Sequence, residues 1–205
     1  MLKSGSYKKL LTAYYSSQDS QSETEVKKTV TDLTTAKSDA SSASSAAKKL
    51  SSTDFSSDNM DEIVKNVQSF VDSYNELLDS ASEVDDRATL RQTLWMTQIT
   101  EKNSGLLSSI GITIGENNKL ELNTDTLKKA ADSETKSAEL ADAKMSTLKS
   151  LFSSQRGSYL SDITTKMENI ASSASTALTK ASSTNSYSSS GTYSTISGLL
   201  YDTES

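Results

Sequence analysis

Asp72 and Glu76 stand four residues apart, the spacing that places two side chains on one face of a helix. Two carboxylates so placed could divide general acid and base work if a cleft enclosed them. Without a cleft they are a solvated helix face, which is the plainer reading. Glu83, Asp85 and Asp86 form a second acidic group. They lack the regularly spaced oxygen ligands and the glycine of a calcium loop, so they read better as acids that cap and charge-match a helix starting near Arg87. The glycine-punctuated stretch from Ile110 to Leu122 has neither the Lys-Ser/Thr of a P-loop nor a GxGxxG, and carries no phosphate-binding signature.

The chain has no histidine and no cysteine. The first absence removes the commonest general base and metal ligand, and the second excludes disulfides and thiolate metal sites. Catalysis would have to use paired carboxylates, Ser-Lys or tyrosine chemistry in a concave pocket, and the candidate pair Asp72 and Glu76 reads more simply as a solvated helix face. The expectation is a protein that is not an enzyme, with no catalytic, cofactor-binding or metal-binding residue and no cofactor. A formal net charge of −6, with the basic residues scattered among acids, argues against a nucleic-acid partner. No apolar run approaches a membrane-spanning length, and Met1–Tyr7 is not followed by the apolar core of a cleavable signal peptide.

Apolar residues make up 34% of the 205 positions, Ser and Thr are abundant, and proline is absent. Such a chain cannot fill a thick globular core, but it can fill a narrow seam between long helices. Interior proline costs a helix about 3 kcal/mol, so a chain without it suits uninterrupted helices. The expected fold is mainly α, an elongated antiparallel helical bundle or coiled coil with one small β-hairpin at about 110–122. Residues 1–22 read as an amphipathic segment carrying Tyr7, Leu10, Leu11, Tyr14 and Tyr15, with Gln18 to Ser22 as a linker. Residues 23–182 read as the bundle, and 183–205 as a flexible Ser/Thr-rich tail.

Within the bundle, Val26, Val30, Leu33, Ala40, Ala47 and Leu50 predict a helix over 23–52 whose seam is interrupted at Lys37 and Ser44. Asp58 is a plausible cap for a helix over 59–84, the strongest of the chain. Its stripe is Met60, Ile63, Val67, Phe70, Tyr74, Leu77, Ala81 and Val84, widened by Val64, Val71 and Leu78. A helix over 87–108 follows, with Leu90, Leu94, Trp95, Ile99, Leu106 and Leu107 as its apolar positions and Trp95 as a packing anchor. An exposed Trp95 would mark an interface instead.

Ile110–Ile114 and Lys119–Leu122 alternate about Gly-Glu-Asn-Asn and predict a hairpin, with Gly115 and Asn117 free to take positive φ. A lone hairpin is marginal and must lie on a helix. Asn123–Thr126 caps a short helix through Ala131. Glu134–Phe152 follows as a helix with Leu140, Met145, Leu148 and Leu151. From Gly157 a last seam runs through Leu160, Ile163, Met167, Ile170, Ala174, Ala177 and Ala181.

Several of these segments, in order, resemble the flagellar filament-capping (hook-associated cap) protein family. Phe70, Val71, Tyr74 and Asn75 within Ile63–Leu78 are similar to its Phe-Val-x-x-Tyr-Asn helix. Ala88-Thr-Leu-Arg91 resembles its Thr-Leu-Arg helix start. Ser109-Ile-Gly-Ile-Thr113 with Lys119-Leu-Glu-Leu122 resembles its hairpin, and Asp125–Ala130 the helix after it. Leu148–Phe152 with Gly157 is similar to the approach to its terminal helix, and Val30–Leu33 to Leu50–Phe55, more weakly, to the segment leading into its outer domains.

The likeness covers roughly residues 26–170. The family's β-rich outer domains are replaced here by Asp54–Asn59 alone, so the likeness is to the helical stalk domain. It implies a structural, flagellum-associated extracellular protein that self-associates as a homo-oligomer or docks on flagellin or hook-associated-type partners. An intracellular coiled-coil adaptor and a secreted helical effector are the alternatives. The bundle seam is expected at Val26, Val30, Leu33, Ile63, Val67, Phe70, Tyr74, Leu77, Leu160, Ile163, Met167 and Ile170, and partner contacts at Tyr7, Tyr14, Tyr15 and Trp95.

Overall fold

The computed structural model describes residues 4–131 and 138–184, with side chains placed for 25–56, 58–129 and 145–181. It is a mainly α fold with one small antiparallel hairpin. In chain order the elements are α1 (Ser4–Ser51), α2 (Met60–Ser82), α3 (Arg87–Lys102), α4 (Ser104–Ser109), β1 (Ile112–Ile114), β2 (Leu120–Leu122), α5 (Thr124–Ala131), α6 (Ala138–Leu151) and α7 (Tyr159–Thr184). No described helix is long and apolar enough to cross a membrane.

The bundle is built from α1, α2, α7 and α3, in which α1 packs on α2 and α7, and α3 lies on α7. Contacts between Ser44 or Lys48 and Glu168, and between Leu33, Ala36, Ala174 and Leu178, show that α7 runs antiparallel to α1. α3 is antiparallel to α7 as well, because Thr100 meets Tyr159 while Trp95 meets Lys166.

α1 is a single helix of 48 residues, about 72 Å long at 1.5 Å per residue. The predicted linker Gln18–Ser22 lies inside it. Nothing in that stretch is a glycine or proline, so polar composition alone does not stop the helix. Its seam keeps the predicted phase through Leu33, Ala40, Ala47 and Leu50 and gains Ala36 and Ala43. Leu33, Ala36, Ala40, Ala43, Ala47 and Leu50 are buried in strict alternation of three and four, while Lys37 faces solvent. The predicted interruption is therefore no gap, since Ala36 and Ala43 fill it. Ser44 is buried beside the seam and donates to Glu168 Oε1 at 3.5 Å. Val30 is half-buried against the small cluster of Leu33, Ala36, Val84, Ala174 and Leu178, and Val26 is half-buried outside both apolar clusters.

α2 keeps its predicted stripe, with Ile63, Val67, Phe70, Val71, Tyr74, Leu77, Leu78 and Ala81 all buried. Asp58 does not cap it. A 3₁₀ turn at Ser57–Asn59 leads into the helix, and Asn59 instead donates its side-chain amide to the Asp54 carbonyl at 3.1 Å. α7 buries Leu160, Ile163, Met167, Ile170 and Ala174, as its seam predicts, and extends to Thr184. Gly157 takes φ +87 just before it, and Ser158 Oγ accepts from the Ser161 N–H at 3.2 Å.

The core is thickest around Phe70, whose ring meets Tyr74, Phe152 and Tyr159 at centroid distances of 6.2, 6.5 and 6.3 Å. The Phe70–Tyr159 pair is edge-to-face, a geometry that adds about 0.5–1.5 kcal/mol beyond area burial, and the other two are tilted. Toward Leu178 the core narrows to a small separate cluster of Leu33, Ala36, Val84, Ala174 and Leu178.

The hairpin is shorter than predicted, pairing Ile112 with Leu122 and Ile114 with Leu120. Positive φ falls at Asn117 and Asn118, whereas Gly115 has φ −91. The glycine its backbone depends on is Gly111, at φ +91. A Cβ there would meet the Asn123 carbonyl at 2.7 Å. The hairpin lies on α2, as a lone hairpin must on some helix. α5 is capped by Asn123, whose side-chain oxygen accepts from the Thr126 N–H at 2.9 Å. The predicted start of α6 near Glu134, the Leu140 side chain, and the tail from 185 lie outside the described residues.

Candidate interaction surface

The predicted helix over 87–108 behaves least as expected. Asp86 opens it as the acidic cap, its Oδ2 accepting from the Thr89 N–H at 2.8 Å and from the Thr89 hydroxyl at 2.9 Å. The helix breaks at Asn103, whose side-chain amide folds back onto the Ile99 carbonyl at 2.8 Å, and α4 follows as a separate turn. The face of α3 turned to the bundle is Thr89, Thr93, Met96 and Thr100, spaced by four, three and four. Its leucines point the other way. Leu90 is 40% exposed, Leu94 55% and Trp95 39%, with Leu106 of α4 at 52%. The expectation that Leu90, Leu94 and Leu106 serve the core is corrected, and Trp95 is not the enclosed anchor it was expected to be.

Buried threonines are tolerable because each hydroxyl finds a local acceptor. Thr93 donates to the Thr89 carbonyl at 3.0 Å and Thr100 to the Met96 carbonyl at 3.1 Å. That leaves their methyl groups to pack on α7. The Thr100 oxygen then has two lone pairs free, and two buried phenols point at it. Tyr74 donates at 3.2 Å and the Tyr159 hydroxyl lies at 3.3 Å. With the Thr100 proton committed to Met96, both phenols act as donors and must stay protonated.

Burial pushes the Tyr74 phenol up to about 12, with its hydrogen bond to Thr100 working the other way. Tyr159 is likewise raised, by burial first and by the neighbouring Tyr74 second. This buried node ties α2, α3 and α7 at one point and fixes which face of α3 is turned outward.

The outward face has its own order. Leu90 and Leu94 are one turn apart, as are Arg87 and Arg91, so an apolar ridge runs beside a cationic one. Trp95 closes the far side. The Arg91 guanidinium sits 5.5 Å from its ring centroid and the Lys166 ammonium of α7 4.8 Å. Cation–π contacts at such exposed sites are worth about 0.5–1 kcal/mol each. Trp95 therefore anchors α3 to α7 at one edge and shows the rest of its ring to solvent.

Of the other predicted contact residues, Tyr7, Tyr14 and Tyr15 have side chains outside the described residues. Reading the sequence for apolar periodicity missed Arg87, Arg91 and Lys166. The signal for this face was the heptad-like repeat Thr89, Thr93, Met96, Thr100, which is visible once threonine is admitted as a buried residue.

The acidic candidates do not assemble into a reactive site. Asp72 is exposed and accepts from Gln68 Nε2 at 2.7 Å, and Glu76 is exposed. Glu76 shares an open hollow with Asp39, Asp79 and Glu83, where Asp79 pairs with Lys119 at 2.8 Å. Among the described residues no three carboxylates converge as a metal ion would require. Comparison with protein-family models, with curated proteins and with solved structures returns no match to this chain.

Proposed function

We propose that this chain is a non-enzymatic helical module resembling the stalk of a flagellar cap protein, acting outside the cell by docking on a helical partner or on copies of itself. The observation that carries the docking reading is the inverted face of α3. A helix that buries three threonines while Leu90, Leu94 and part of Trp95 meet water forfeits on the order of 1 kcal/mol for each leucine, since about half of each side chain is still exposed. A covering partner recovers that energy. Scattered single leucines need no explanation, but leucines one turn apart beside a half-open tryptophan read as an interface.

The cap-like part of the reading is supported by the order of elements and by one motif. The Tyr-Asn pair that carries much of the resemblance is structural in this fold, Tyr74 entering the buried node and Asn75 holding the hairpin. The test is a mass measurement in solution, alone and with flagellin-type subunits added, joined to fractionation of cells with and without a working flagellar export apparatus. The reading expects self-association or co-migration with those subunits, and export that depends on the apparatus. A strict monomer indifferent to flagellin-type subunits, retained in cells under both conditions, would leave only an intracellular helical bundle.

A further inference from the structure

We infer that the outward face of α3 receives an acidic amphipathic helix from a partner protein. This rests on the docking reading above and adds the chemistry of the occupant. α3 carries Arg87, Arg91 and Lys102 against the single carboxylate Glu101, in a chain whose formal net charge is −6. Among the described residues neither Arg87, Arg91 nor Lys166 is paired with a carboxylate, and the last two rest on the Trp95 ring. An ammonium or guanidinium over an aromatic face remains open to an anion on its other side. The cations therefore stand ready beside the apolar ridge rather than being spent within the fold.

A helix suits this face because Leu90 and Leu94 form a ridge with one-turn spacing, which fits between the ridges of a second helix. The occupant's apolar stripe would cover Leu90 and Leu94, and Asp or Glu beside that stripe would meet Arg87 and Arg91, which lie between the leucines and Trp95, and Lys166 beyond the ring. Charges at the edge of such a contact mainly set encounter rate and sign preference, while the buried apolar anchors set dissociation. The chain's own aromatic stripe at Tyr7–Tyr15 is flanked by Lys3, Lys8 and Lys9, which carry the wrong sign for this surface.

Trp95 is the only tryptophan, so the surface reports on itself. The full chain is titrated with two labelled designed helices that share one leucine stripe, the first with glutamates on its other faces and the second with lysines. Label anisotropy and Trp95 emission are followed. Expected are binding of the glutamate helix with a blue shift of Trp95, loss of about tenfold in affinity as salt rises through the Debye regime, and a much weaker lysine helix.

Arg87→Glu with Arg91→Glu should invert the preference, and Leu94→Asp should abolish binding of both, each variant keeping its circular dichroism and a cooperative unfolding transition, lowered in the first only by the lost Arg91–Trp95 contact. Equal binding of both helices would overturn the acidic partner and leave docking standing, and binding of neither would overturn both. Unchanged binding by the variants would place the contact elsewhere. The same titration of a chain ending at Thr184 separates a last occupant. If Trp95 shifts red on removal of 185–205, which holds Leu199, Leu200, Asp202 and Glu204, the chain covers its own face and a partner helix is ruled out.

Discussion

Asn75 pairs with Leu120 as though it were a neighbouring strand. Its side-chain Nδ2 donates to the Leu120 carbonyl at 2.9 Å, and its Oδ1 accepts from the Leu120 N–H at 2.8 Å. One amide on α2 thus satisfies both backbone groups on the outer edge of a hairpin too short to stand alone. Lys119 adds an exposed ion pair to Asp79, one turn further along α2.

Replacing Asn75 with Ala should therefore release the hairpin from α2. Two partly buried backbone groups lose their partner, at about 1–3 kcal/mol. Urea unfolding should record that loss, and amide exchange at Leu120 should accelerate well ahead of exchange in α2. Asn75→Asp should also destabilise, because a carboxylate can accept from the N–H but faces the carbonyl without a proton to give.

Stability should fall at alkaline pH, and by a specific route. Tyr74 and Tyr159 are held as neutral donors in the fold, with Tyr74 raised to about 12 from an ordinary 10.0. Below pH 10 both states keep the proton and the stabilisation is complete. Above it the unfolded chain releases protons that the folded chain retains, so stability declines as pH climbs from 10 toward 12. Denaturant midpoints across that range should slope downward in the native chain. They should flatten in a chain carrying Tyr74→Phe and Tyr159→Phe, which pays at neutral pH with a lower starting midpoint.

Two glycines should respond in opposite directions. Gly111→Ala places a methyl group against the Asn123 carbonyl and the Leu127 N–H at positive φ, and should cost more than about 1 kcal/mol. Gly105, in α4 with open space around it, should accept Ala and gain up to about 1 kcal/mol. Paired melting curves give both numbers.

Overfilling the α1 seam should hurt more than trimming the α3 face. Ala43→Leu forces a larger side chain between α1 and its neighbours, at about 1–3 kcal/mol. Leu90→Ser with Leu94→Ser touches exposed side chains and should change stability by no more than about 0.5 kcal/mol each. Equal destabilisation in the two sets would mean that the α3 leucines are structural.

How much of this the sequence disclosed depended on side-chain size. α2 and α7 were legible because Ile63, Phe70, Ile163 and Ile170 are large, β-branched or aromatic, and keep one phase. α1 was legible as a helix and in phase at Leu33, Ala40, Ala47 and Leu50, but Ala36 and Ala43 were missed, since alanine is also a surface residue in good helices. α3 misled because apolar periodicity assigns Leu90 and Leu94 to the core. Threonine buries well only when its hydroxyl finds a local acceptor, the carbonyl four residues back for Thr93 and Thr100 and the Asp86 carboxylate for Thr89, and apolar spacing does not reveal that. The extent of α1 through Gln18–Ser22 was hidden for a related reason, as serine and glutamine are read as linker although they tolerate a helix. The positive φ at Asn118 rather than Gly115 is a matter of which turn closes the hairpin, and two adjacent asparagines permit more than one.

The alanine ladder of α1 has a mechanical corollary. A row of identical small side chains lets the neighbouring helices approach closely but distinguishes one heptad from the next only weakly, so register falls to the larger residues at its ends. Leu33 and Leu50 act as end stops, and Glu168, reaching both Lys48 and Ser44, is a latch between them. Lys48 and Glu168 are both exposed, so their pair adds no more than about 1 kcal/mol, and the leucines at the two ends carry most of the register.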